Sequence, residues 1–162
     1  MRPRPHLGNR MTGETDPLSV EPIWIERDLG EVSRASEAVK NRLEGELTQE
    51  QAEAVDLALT EALTNTIRHG TVQSAIQIGI YVQTGPGFVA VEIADSSPPM
   101  PQYLLDEAGA DKLEVDPDNL ASLSEGGRGL SLIVMLMDEV AYVRVDGEVR
   151  LRMLLRTRNG SL

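Results

Sequence analysis

Asp56-Leu57-Ala58-Leu59-Thr60-Glu61-Ala62-Leu63-Thr64-Asn65-Thr66-Ile67-Arg68-His69-Gly70 is an apolar, helix-favouring run that carries a carboxylate and a carboxamide one turn apart. Glu61 and Asn65 stand at i and i+4, so both side chains project from one face of the predicted helix. Alone, such a pair is an ordinary feature of a solvated helix face. Its weight comes from two later segments. Ile93-Ala94-Asp95-Ser96-Ser97 closes a strand pattern, and Gly126-Gly127-Arg128-Gly129-Leu130 opens a second helix. In that order, the three segments are the parts needed to hold a nucleotide and its metal.

The helix around Glu61 has a readable start. Thr48-Gln49-Glu50-Gln51 matches a capping box, in which the threonine and the glutamine three residues on satisfy each other's backbone N–H. An apolar stripe then runs through Ala52, Val55, Leu59, Ala62, Leu63 and Ile67, and Gly70 is a natural stop. Glu61 and Asn65 lie beside the stripe, at the edge of the core, where a cleft belongs. Upstream, Ile23 and Ile25 alternate with polar neighbours as a short first strand. Leu29, Val32, Ser36, Val39 and Leu43 follow at steps of three and four, with Asp28 placed to cap that helix and Gly45 to end it.

Downstream, Ile76, Ile78, Ile80 and Val82 alternate as a half-buried strand, and Thr84-Gly85-Pro86-Gly87 turns it into an antiparallel partner over Phe88 to Ala94. Val89, Val91 and Ile93 face the core, and Asp95 continues their parity. An acid is thus aimed at the buried side where the strand ends, a costly placement without a partner. Ser96 to Glu125 forms a long proline-containing acidic stretch, the kind that serves as a lid or stays disordered. A helix with Leu130, Ile133, Val134 and Met137 inward comes next. Val140 to Val145 and Val149 to Arg156 then form a hairpin about Asp146-Gly147. In its last strand Arg150, Arg152 and Arg156 alternate with Leu151, Met153 and Leu155, giving one core face and one cationic face.

Composition narrows the classes. At 162 residues the chain reads as one domain with enough apolar surface to fold unaided. Residues 1–20, rich in Pro, Gly, Thr and Arg, read as a disordered arm before a globular part over 21–158. There are no cysteines, which removes disulfides and thiolate metal sites, and two histidines are too few for a zinc cluster. No run approaches the roughly 18 apolar residues of a membrane span, and the start has no secretory apolar core. A cytoplasmic protein is expected. A net charge of −11 argues against direct nucleic-acid binding, which needs a basic face.

Each candidate group has a bland counterpart. Glu61 can act as a base toward an attacking hydroxyl while the Asn65 oxygen binds Mg²⁺. Asp95 can accept a hydrogen bond from an exocyclic amine, or simply initiate a turn. Gly126-Gly127-Arg128-Gly129 can present N–H groups to phosphates at a helix N-terminus, or serve as a hinge. His69 reads as a helix-end residue near carbonyls.

Taken together, Glu61-x-x-x-Asn65-x-x-x-His69-Gly70, Asp95 after a core strand, Gly126-Gly127-Arg128-Gly129-Leu130-x-Leu132-Ile133 and Met137-Asp138-Glu139-Val140 resemble the anti-sigma factor serine kinases. These belong to the GHKL, or Bergerat, ATPase superfamily that includes gyrase, histidine kinases and MutL. The similarity covers roughly Pro22 to Arg156. It implies a two-layer α/β sandwich with a mixed, mostly antiparallel sheet, and a lid over residues 96–127. It also implies an ATP- and Mg²⁺-dependent kinase in a bacterial partner-switching pathway. Such a protein, a homodimer, sequesters a sigma factor or similar regulator and phosphorylates a serine on an antagonist protein. By the same resemblance Glu61 is the base, Asn65 the Mg²⁺ ligand and Asp95 the adenine acceptor. Gly127, Arg128, Gly129 and Leu130 contact the nucleotide's phosphate end.

One departure stands out. The family pattern is Asp-x-Gly, whereas this chain has Asp95-Ser96-Ser97. A serine Cβ at a position suited to glycine crowds the base or forces a strained backbone, at a cost of about 1 kcal/mol. This defines an alternative, a non-catalytic or weakly catalytic partner-binding module with a degenerate nucleotide site. A detached histidine-kinase catalytic domain is a third reading, expected to be weaker because no helix with a phosphoacceptor histidine precedes the domain.

Overall fold

The computed structural model describes residues 21–69, 77–95 and 128–157. Strand β1 (Ile23–Glu26) leads through a 3₁₀ turn (Leu29–Glu31) into helix α1 (Val32–Arg42), followed by helix α2 (Gln49–Arg68). Strands β2 (Gln77–Gly85) and β3 (Phe88–Ala94), helix α3 (Arg128–Leu136), and strands β4 (Glu139–Val145) and β5 (Glu148–Arg156) complete the described chain. The five strands form one sheet in the order β1-β2-β3-β5-β4, and every described pairing is antiparallel. α3 packs along α2 and α1 packs on α2, so the helices form the second layer of the α/β sandwich.

The core lies between those layers. Ile23 and Ile25 of β1, Ile78, Ile80 and Val82 of β2, Val89, Val91 and Ile93 of β3, and Met153 and Leu155 of β5 are all buried. They meet Ala35 and Val39 of α1, Val55, Leu59, Ala62 and Leu63 of α2, and Ile133 and Met137 from α3 and its end. The period-two alternation thus puts one face of the sheet against the helices.

Local signals explain most element boundaries. Thr48 accepts from the Gln51 N–H, and the Gln51 side chain accepts from the Thr48 N–H, so the capping box forms as expected. α1 ends at Arg42 with Leu43 as its C-cap, and Gly45, at φ +86°, takes the left-handed conformation in the turn beyond. The β4–β5 hairpin turns on Asp146 (φ 51°) and Gly147 (φ 82°), the paired positive φ of a type I′ turn.

One predicted stripe is corrected. Asp28 does cap, accepting from the Gly30 N–H, but it caps the 3₁₀ turn rather than α1 itself. Leu29 lies in that turn and is 45% exposed, whereas Val32, Val39 and Leu43 of the expected stripe are buried, with Ala35, absent from it, fully buried beside them. Residues 1–20, Gly70, Ile76 and the expected lid over 96–127 lie outside the described residues.

Candidate functional site

Asp95 follows directly on β3, and Arg27 follows directly on β1. Both strands pair antiparallel with β2, so they run in the same direction and end at the same edge of the sheet. Parity aims both residues at the helical layer. Arg27 extends the series Ile23, Ile25, and Asp95 extends Val91, Ile93. Two strand spacings amount to about 10 Å, a gap that an arginine side chain spans over the end of β2. The Arg27 Nη2 donates to Asp95 Oδ1, and the two side chains are 14% and 13% exposed.

The same guanidinium reaches the helical layer. Arg27 Nη1 donates to the Thr66 carbonyl oxygen at 2.7 Å. Thr66 lies in the last turn of α2, where main-chain carbonyls run out of intrahelical partners and the helix dipole is negative. The preceding carbonyl, that of Asn65, is taken by the His69 N–H at 2.9 Å. His69 thus closes α2 as its C-cap. The Thr66 oxygen is the next in line, and a cation is the partner that position favours.

Asp95 is therefore tied through one side chain to the residue next to Asn65. Glu61 and Asn65 stand one turn apart on that same helix, both partly buried. Burial pushes the Glu61 carboxyl above its ordinary value, with Arg68 pulling partly back. A carboxylate with a raised proton affinity is better suited to act as a base near neutral pH. Arg128 and Gly129 open α3, and Leu130, in its first turn, is partly buried. Because α3 packs along α2, the helix that begins at Arg128 lies in the same layer as Glu61 and Asn65. Gly127, Ser96 and Ser97 lie outside the described residues.

Arg27 is the residue that sequence reasoning missed. The usable signal was parity. Two core-facing stripes, on β1 and β3, end in opposite charges. Recognising them as neighbours required knowing that β2 lies between the two strands.

Two other features stand apart. A cleft of ≈ 210 Å³ opens between α1 and the N-terminal half of α2 beside Val39, Leu43, Val55 and Leu59, and no predicted site residue lines it. On the sheet face away from the helices, Glu92 accepts from Arg150 Nη1 at 3.0 Å and from Arg152 Nε at 2.6 Å. Arg150 also lies 3.6 Å over the Tyr81 ring. The cationic face expected for β5 is thus neutralised largely within the sheet.

Among the described residues, no group of three or more His, Cys, Asp or Glu is arranged to hold a metal. No described helix is long and apolar enough to cross a membrane.

No match was found among curated proteins. Among solved structures, the chain is similar to the catalytic domain of the histidine kinase ThkA in two nucleotide-free crystal forms. In each, identity is 14%, TM-score 0.47, and coverage 85% of this chain and 96% of that one. The model of the histidine kinase-like ATPase domain matches residues 25–155, nearly the whole described fold. The chain belongs to the histidine kinase-like ATPase domain family.

Proposed function

We propose that the chain is an ATP- and Mg²⁺-dependent protein-serine kinase of the anti-sigma type. It acts as a homodimer that sequesters a sigma factor or similar regulator and phosphorylates a serine of an antagonist protein. The observation that carries the reading is the Arg27 bridge, which sets the acid at the end of β3 beside the turn of α2 that bears Asn65.

The available donors and acceptors fit such a ligand. Mg²⁺ bound together with a triphosphate keeps most of its ligands from water and phosphate, so one or two protein oxygens suffice. The lack of a carboxylate cage among the described residues is compatible with that. Asn65 supplies a neutral oxygen acceptor, and Asp95 a charged acceptor for the adenine amine. Glu61, raised by burial, takes the proton from the antagonist's serine hydroxyl. The bound nucleotide supplies the phosphoryl group, and Mg²⁺ neutralises its charge. Arg128, Gly129 and Leu130, with Gly127 before them, are the groups assigned to the phosphate end.

The test is incubation of the purified protein with labelled ATP and its antagonist. Label on a serine of the antagonist is the expected result. A protein that binds its partners without binding ATP or transferring phosphate is instead a binding module. Label on a histidine selects a histidine kinase.

A further inference from the structure

We propose that Arg27 is a positioning residue for nucleotide recognition, holding Asp95 and the last turn of α2 at a fixed separation through one guanidinium. The inference rests on the nucleotide reading of the site and adds a residue to it. Three features carry it. Arg27 Nη2 holds Asp95 Oδ1 while Nη1 holds the Thr66 carbonyl at 2.7 Å, so the planar fork addresses two elements at once. Both ionic side chains are largely withdrawn from solvent, at 14% and 13% exposed, so each needs the other. The corner that presents Arg27 is braced as well. The Asp28 N–H donates to Glu26 O at 2.8 Å, the Asp28 side chain accepts from Gly30 N at 2.9 Å, and the Glu31 N–H donates to Asp28 O at 2.9 Å.

Asp95 keeps its capacity to recognise a ligand. A carboxylate offers about four acceptor positions on two oxygens, and the Arg27 bond uses Oδ1. Arg27 thus orients the acid without consuming it. Because its Nη1 bond ends one residue from Asn65, it also joins the base end of the nucleotide site to the metal end.

The test measures MgATP affinity by calorimetry for wild type, Arg27→Met, Asp95→Asn and the double variant, with nucleotide-free melting of each. Arg27→Met should weaken binding by about tenfold, at a temperature well below its own melting point. The double variant should bind within about twofold of the weaker single variant, because Arg27 acts through Asp95. A residue that only supported the fold would move the melting point and give losses that multiply. Arg27→Lys guards against a misfolded methionine variant. An ammonium keeps the charge but cannot span both partners, so it should bind several-fold more weakly than wild type.

Wild-type affinity in Arg27→Met or Arg27→Lys overturns the positioning role alone, as do multiplying losses in the double variant. Wild type that binds no MgATP removes the nucleotide reading and the role together.

Discussion

Strand β3 carries two acids three residues apart, Glu92 within it and Asp95 at its end, and the sheet treats them oppositely. Glu92 points away from the helices, is 4% exposed and accepts from two arginines, one of which stacks on Tyr81. Asp95 points towards the helices and pairs with Arg27, which also donates to a main-chain carbonyl. The first acid is surrounded by cations and serves the sheet. Among the described residues the second is steadied by one cation, through Oδ1. Among the described residues, the number of cationic partners, more than burial, separates the two acids.

That contrast is broken if changes at these two acids have the same kind of effect. The largest effect belongs to the α2 side. Glu61→Ala should reduce phosphotransfer by at least ~100-fold while MgATP affinity stays within about threefold, measured by label transfer alongside calorimetry. Loss of binding in parallel would remove Glu61 from the role of base.

Next is the open face. Glu92→Ala removes the carboxylate shared by Arg150 and Arg152 while Arg150 keeps Glu148 at 2.9 Å, and should cost about 2–3 kcal/mol in urea unfolding, less than for a fully buried triad. Arg152 is 35% exposed, which is why the lower figure applies. Nucleotide affinity should be unchanged. If Glu92→Ala instead weakened MgATP as Asp95→Asn does, the two acids would not be doing separate jobs.

Asp95→Asn is expected to weaken MgATP by about tenfold, since a charged acceptor becomes a neutral amide. Unchanged affinity in calorimetry would take Asp95 out of the adenine site.

The smallest effect is a matter of pH. Burial raises the Glu61 carboxyl above its ordinary value of 4.5. Folding therefore favours the protonated acid, and its contribution to stability is complete below the unfolded value and lost as pH rises through the folded one. Glu61→Gln stays neutral, so it should melt slightly higher than wild type at about pH 7 and no higher below about pH 4. The same titration predicts that phosphotransfer rises with pH across that interval. A variant with the same offset at both pH values would show that Glu61 is not strained by burial.

Which features could be read from the chain depends on how far apart their parts lie. The Thr48–Gln51 capping box and the Asp146-Gly147 turn involve neighbouring residues, and both formed as expected. Strand parity is equally local, so the buried aim of Asp95 was visible before its partner was. The exposure of Leu29 was not, because a 3₁₀ turn and a first helical turn share the same residue preferences while differing in phase. The arginine partners were out of reach for another reason. Arg27 and Asp95 are 68 positions apart, and Glu92 is separated from Arg150 and Arg152 by 58 and 60. Strand order decides such pairings, and alternation does not encode strand order. For the site, the Glu61/Asn65 spacing and the position of α3 were legible, whereas Gly127 and Ser97 fall outside the described residues.

Trp24 offers a final consequence. It is the chain's one tryptophan, 49% exposed, and its ring lies over Gly79 so closely that a Cβ there would sit 3.1 Å from it. It occupies β1 three positions before Arg27. Indole emission is thus a built-in optical gauge of the strand that feeds the bridge, with no second fluorophore of its kind to confuse the signal. Glycine at position 79 leaves that ring room to settle flat, so the colour and intensity of its light should register any shift of the sheet's margin.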